Sequence, residues 1–241
     1  EISCSLVGSE MCIRDRYGLA YSIGMLVQLF ISGMNSALTP WMYSKIKKGD
    51  IRSMRKVLQL LSVVVVGIAV ALMLISPELV LIFGSPKYRE AVYVIPPVAA
   101  SVFFIFIYNI LSMPQFYYEK TQFLMAASMA AAGANVVLNF IFIRLFGYIA
   151  AGYTTLACYM LYSVGHYIVS KRILVNEGIQ ENLMSPGFLV ACSVFLIGAS
   201  IICNLIFPYR ILRYAILLAS AGLVFWKKEL LLKTMADIRK K

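Results

Sequence analysis

Charged residues cut this chain into long apolar runs, and the pattern of those runs predicts its elements. No charge falls between Thr121 and Ile143, and between Leu145 and Ser170 only His166 can titrate. Each run exceeds the roughly 20 residues that a helix needs to cross a bilayer. With RLFG between them, the two predict a transmembrane hairpin. The same pattern predicts a helix from Tyr17 to about Leu38, ending near Pro40, and another from Val57 to about Phe83, with Glu78 its only charge. A third begins near Pro96 and Pro97 within the uncharged stretch Ala91–Tyr118. The pair of prolines there predicts a kink or a late helix start. The hairpin follows as helices over 123–143 and 147–169, and a second hairpin over 188–207 and 211–226 turns at PYR. Seven spans result, and the fold class is an all-α polytopic membrane bundle.

The connecting segments carry the charge. Tyr43–Lys56 reads as a basic loop, Gly84–Pro86 as a turn, Lys171–Pro186 as a polar loop and Lys227–Lys241 as a basic tail. Counted over alternate connections, fifteen Lys and Arg fall on the side of the Tyr43–Lys56 loop and five on the other. Cytoplasmic loops retain Lys and Arg, so this asymmetry predicts Tyr17 outside and Lys241 in the cytoplasm.

Composition agrees with the pattern. Of 241 residues, 61% are hydrophobic and 14% charged, where soluble chains carry about 25% charged residues. The mean hydropathy is +0.82. A net charge of +11 would suit a nucleic-acid partner, but the basic residues sit in short patches between apolar runs, which argues for membrane loops and against nucleic acid. Cys158, Cys192 and Cys203 lie inside apolar runs without metal-like spacing, and they read as small embedded residues. No motif for a cofactor, a metal or a nucleotide is present, and no nucleophile elbow, so the chain reads as neither an enzyme nor an ATP-driven pump. Glu1–Arg16, EISCSLVGSEMCIRDR, resembles a translated sequencing adapter and lacks the apolar core of a signal peptide. Residues 1–16 are therefore set apart as non-native, and 17–241 form one transmembrane unit. On that reading the natural protein is met in mid-chain near Tyr17, with an N-terminal lobe that precedes it.

The segments NVVLN (135–139), FGYIAAGYTTLACY (146–159), PWMYSKIKKGD (40–50) and FGSPKYREAVYVIPP (83–97) resemble the C-terminal half of bacterial oligosaccharide flippases. These are polysaccharide-biosynthesis exporters of the multidrug/oligosaccharidyl-lipid/polysaccharide superfamily. The resemblance covers nearly all of the chain after Tyr17. It implies the C-terminal lobe of a MATE-like two-lobe transporter, with a central cavity that opens alternately to either side. The implied cargo is a polyprenyl-diphosphate-linked oligosaccharide for O-antigen, capsule or exopolysaccharide, and the implied place is the bacterial inner membrane. The implied partners are membrane lipid, that lipid-linked substrate and the N-terminal lobe. A cation-coupled multidrug antiporter of the same superfamily and a membrane-embedded glycosyltransferase or polymerase are the alternatives. The antiporter should show an intramembrane acid, for which the chain offers Glu78, at the outer edge. The polymerase should show a large outer loop, and none is present.

Polar residues at membrane depth are where function is sought first. Asn135 and Asn139 share a helix face and suit either a cavity wall, hydrogen-bonding sugar hydroxyls, or contacts between helices. His166 shares a face with Tyr159 and Tyr162, which suits a proton relay or a polar rim, while its nearness to Lys171 suggests the cytoplasmic interface. Asn35 and Asn109, like Gln28, are single intramembrane amides that suit a hydrophilic path or a structural contact. Lys45, Lys47, Lys48 and Arg52 suit a substrate diphosphate or the headgroups of anionic lipid. Arg89 and Arg144 are outer cations placed to meet an anionic glycan, and Arg213 is expected to snorkel to the interface.

Overall fold

A computed structural model describes the backbone of residues 2–84 and 86–226, and the side chains of most of these from Tyr17 on. The expected basic tail, Lys227–Lys241, and the side chains of Glu1–Arg16 lie outside the described residues. The chain forms seven α-helices and one 3-10 helix, with no strand among the described residues. In order they are α1 (Ile2–Lys47), α2 (Ile51–Phe83), the 3-10 helix (Pro86–Tyr93), α3 (Ile95–Tyr117), α4 (Gln122–Phe146), α5 (Ala150–Asn176), α6 (Pro186–Ile206) and α7 (Arg210–Trp226). Five of the seven are long and apolar enough to cross a membrane. The other two are α5, which carries much of the site described below, and α7, which has 17 residues.

Local chemistry explains where the helices differ from expectation. The first was expected to end near Pro40, yet α1 runs on to Lys47. A proline inside a helix removes one hydrogen bond, but Met42 and Ile46, buried at 0% and 3% exposure, hold the following turns against the core. The basic loop expected over Tyr43–Lys56 is therefore mostly helix. Only Lys48–Asp50 connects α1 to α2, because Gly49 adopts φ +68° and Asp50 caps α2 by accepting from the Ser53 amide at 3.3 Å. Pro96 and Pro97 occupy the first turn of α3. There a missing N–H costs nothing, so the pair produces a late start. Ser185 caps α6 by accepting from the Phe188 amide at 3.4 Å, ahead of Pro186.

The bundle is organised round α3, which packs against α1, α2, α5 and α6. The share buried is 89% in the α3 span and 0% in the α4 span. Thus α3 is the axis, and α4 is peripheral, held by α5 alone among the principal packings. Small residues set the closest approaches, as they do where lipid supplies no hydrophobic drive between helices. A Cβ added at Gly24 would lie 2.6 Å from Val98 Cγ1, and one added at Gly152 would lie 2.8 Å from Pro97 Cγ.

The α1–α2, α3–α4 and α5–α6 connections gather at one end of the bundle. Arg52 lies 3.3 Å from Glu181, Arg55 Nε donates to the Asn182 carbonyl at 2.6 Å, and Lys120 pairs with Glu177 at 3.0 Å. Toward the other end Arg213 and Glu78 join α7 to α2 in a two-pronged pair at 2.9 and 3.0 Å.

Candidate transport cavity

A cavity of about 570 Å³ opens between α1, α3, α4 and α5. Its walls are largely tyrosine: Tyr17 and Tyr21 from α1, Tyr108 from α3, and Tyr159 and Tyr162 from α5. The rings brace one another. Tyr108 stacks on Tyr159 at 6.2 Å and 4° between planes, and meets Tyr162 edge-on at 4.7 Å. Ser128, Asn135 and Thr155 add hydroxyl and amide groups to the lining, which includes no charged residue. Ser128 Oγ lies 2.7 Å from the Tyr162 hydroxyl, tying α4 to α5 across the cavity wall.

The helix spacing delivers these groups. On α5, Thr155, Tyr159 and Tyr162 fall at intervals of four and three and so share one face. On α4, Ser128, Ala132 and Asn135 do the same, and the alanines leave the space that the tyrosine rings border.

The residues singled out by sequence divide into those at the cavity and those away from it. Asn135 lines it. Asn139 stands one turn behind, donating to Asn135 Oδ1 at 2.8 Å and accepting a short hydrogen bond from the Thr154 hydroxyl. His166 is fully buried, near the α3–α4 connection. It lies behind the wall, with the rings of Tyr162 and Tyr108 at 4.5 and 5.9 Å, and its Nδ1 is 2.7 Å from Gln115 Nε2. Asn109 turns back to the Ile105 carbonyl of its own helix. Asn35 is buried on α1, and neither atom of its amide has a partner among the described residues. Neither of these two lines the cavity.

The basic residues also divide. Lys45 is 8% exposed and paired with Asp50 at 2.7 Å. Lys47, Lys48 and Arg52 are exposed. Arg89 and Arg144 are exposed too, with Arg144 over the Phe140 ring at 3.8 Å. Arg213 departs from the snorkelling expected of it: it is 3% exposed and donates to the Leu74 carbonyl as well as to Glu78. Tyr214 also donates to Glu78, at 2.8 Å. The acid that sequence offered as a coupling carboxylate is therefore committed to a salt bridge.

Sequence reasoning missed Gln115, Tyr108 and the two cavity tyrosines of α1, Tyr17 and Tyr21. The only signal was the number of tyrosines, fifteen, within runs too apolar to need them for solubility.

Long apolar helices define an all-α membrane protein, with an aromatic, uncharged cavity between four of them. The MatE family model matches residues 16–141, more than half of the chain, and the chain belongs to this family. Its work is therefore transport and not bond chemistry. No curated protein and no solved structure matches the chain.

Proposed function

We propose that this chain is part of a flippase that moves a polyprenyl-diphosphate-linked oligosaccharide across the bacterial inner membrane. The observation that carries the reading is the lining of the cavity. Aromatic faces cover the C–H faces of sugar rings, while phenol, hydroxyl and amide groups exchange hydrogen bonds with sugar hydroxyls. The lining offers five tyrosines with Ser128, Asn135 and Thr155, and no charge. A cation-coupled drug antiporter of the same superfamily would be expected to keep a free acid at membrane depth. Glu78 is held instead by Arg213 and Tyr214, which favours the flippase.

On this reading Lys47 and Lys48, exposed at the end of α1, meet the diphosphate or anionic headgroups on the cytoplasmic side, and the C-terminus lies on that side as well. The prenyl chain stays in lipid. Helix α4, which buries no residue of its own, faces the N-terminal lobe that completes the transport path.

The test is a flipping assay in proteoliposomes with the protein made from its complete reading frame. The probe is a fluorescent polyprenyl-diphosphate-linked oligosaccharide, and a membrane-impermeant quencher reports the leaflet it occupies. Wild-type protein should equilibrate the leaflets, and Tyr108→Ala with Tyr159→Ala should slow this about tenfold or more. Equal rates with and without protein, together with efflux of a cationic dye driven by a proton or sodium gradient, would establish the antiporter instead.

A further inference from the structure

We propose that a second pocket, at the C-terminal end of α2, binds the headgroup of a zwitterionic aminophospholipid, with Arg89 taking the phosphate and Glu90 the ammonium. This site lies apart from the tyrosine cavity and does not depend on what that cavity carries.

The pocket has a volume of about 500 Å³ and opens between the last turns of α2, the 3-10 helix and the α6–α7 connection. These segments lie together near the ends of apolar spans, the level at which the headgroups of a bilayer meet its hydrocarbon core. A 3-10 helix has three residues per turn, so side chains three apart stand in line along it. Arg89 therefore stands in line with Val92, and Glu90 with Tyr93, and all four line the pocket. Arg89 and Glu90 are exposed, while Val92 is buried.

Apolar walls complete the pocket. Leu81 of α2 lines it and is 52% exposed. The Tyr93 ring meets that of Phe207 edge-on at 5.7 Å, joining the 3-10 helix to the α6–α7 connection. An amphiphile suits both halves of such a lining. The walls cover its glycerol and first methylenes, and the two charges hold its headgroup.

The pair of charges selects the headgroup. Arg89 has no ion pair among the described residues, and a guanidinium presents a fork of donors that matches phosphate oxygens. Glu90 accepts from the Tyr148 hydroxyl at 3.5 Å, and a carboxylate has about four lone-pair sites, enough to accept from an ammonium as well. Consecutive residues have Cα atoms about 3.8 Å apart. One ethanolamine headgroup, whose phosphate and ammonium are separated by two carbons, can therefore reach both. A phosphatidylglycerol headgroup would satisfy Arg89 but bring a like charge to Glu90. A choline has no N–H to donate to the carboxylate, and a neutral sugar calls for neither charge. Glu78 and Arg213, on the neighbouring helices, neutralise each other. A lipid held here bridges α2, the 3-10 helix and the α6–α7 connection, adding to the tie that Arg213 and Glu78 make between α7 and α2.

The test uses protein made from its complete reading frame, stripped of lipid in detergent and offered equal amounts of palmitoyl-oleoyl phosphatidylethanolamine and phosphatidylglycerol. Native mass spectrometry counts the lipids bound. Wild-type protein should hold phosphatidylethanolamine about fivefold more than phosphatidylglycerol, the effect of one exposed ion pair. Arg89→Gln should lower phosphatidylethanolamine occupancy about fivefold. Glu90→Gln should lower it as well and raise phosphatidylglycerol occupancy, until the two lipids bind alike. Both side chains are exposed, so both variants should fold, and circular dichroism checks this.

Equal binding of the two lipids by wild-type protein, or a preference for phosphatidylglycerol, would overturn the proposal. So would a preference for phosphatidylethanolamine that survives both substitutions, since it would arise elsewhere on the protein. No transported cargo enters the measurement, so its result is separate from that of the flipping assay.

Discussion

The pair between Arg213 and Glu78 should be the strongest single tie between α7 and the rest of the bundle. Its guanidinium makes two bonds to the carboxylate and one to the Leu74 carbonyl, and the side chains of Arg213 and Glu78 are 4% and 19% exposed. Two unit charges about 4 Å apart attract by about 4 kcal/mol at an effective dielectric near 20. Desolvation offsets part of that gain, but removal of one partner strands the other, at a cost of about 3–5 kcal/mol for a buried pair. Arg213→Met should therefore destabilise the protein by about 3 kcal/mol, since Tyr214 still holds Glu78. Glu78→Gln should cost about as much, because it leaves the more deeply buried guanidinium without a counter-charge. The double variant should cost much less than the sum. The assay is a double-mutant cycle by reversible unfolding in mixed micelles, with folded fraction read from far-ultraviolet circular dichroism. A coupling of about 2–3 kcal/mol is expected. Additive costs, with a coupling below about 0.5 kcal/mol, would refute the argument, showing that the two charges are solvated independently and that Glu78 is free for another role.

Gly152→Leu should destabilise the bundle by about 1–3 kcal/mol by overpacking, because its Cβ alone would lie 2.8 Å from Pro97 Cγ and 3.2 Å from the Val94 carbonyl oxygen. Gly133→Ala, with nothing within 4 Å, should be neutral or stabilising by up to about 1 kcal/mol, and thermal unfolding of the two in detergent separates them. Asn139→Leu should loosen α4 from α5 by about 0.6–1.7 kcal/mol, the range for hydrogen bonds between membrane helices, as it removes the bond from Thr154. Enhanced proteolysis at the α4–α5 turn measures it. Lys47→Ala and Lys48→Ala should leave the unfolding midpoint unchanged while each lowers the preference of the reconstituted protein for anionic over neutral lipid by about 1 kcal/mol. Lys45→Ala should lower the midpoint, since Lys45 is buried and pairs with Asp50 at 2.7 Å.

Seven helices, their order and their approximate ends followed from the sequence alone, because a segment in lipid must satisfy its backbone internally and must be apolar for about 20 residues. Errors arose where packing overrode a local signal. Pro40 reads as a stop, but the buried side chains beyond it keep α1 helical to Lys47. Asp50 and Gly49 make a three-residue turn from what reads as a broad basic loop.

The site was legible only in fragments. Asn135 and Asn139 stood out as amides in an uncharged run, and their four-residue spacing placed them on one face. What that face meets depends on how α4 is rotated against α5, and no spacing within α4 records it. His166 stands near Lys171 in the sequence, but that its ring turns inward to Gln115, 51 residues away, is recorded by no local spacing. Arg213 reads as a snorkelling cation because it flanks an apolar run, yet its partner lies 135 residues earlier in the chain. Hydrophobic length is a one-dimensional quantity, so the sequence determined where the helices fall, five of them long and apolar enough to span a membrane. Which side chains converge on a cavity, and which charges neutralise one another, depends on helix rotation and neighbour choice. Those were decided by close packing round α3.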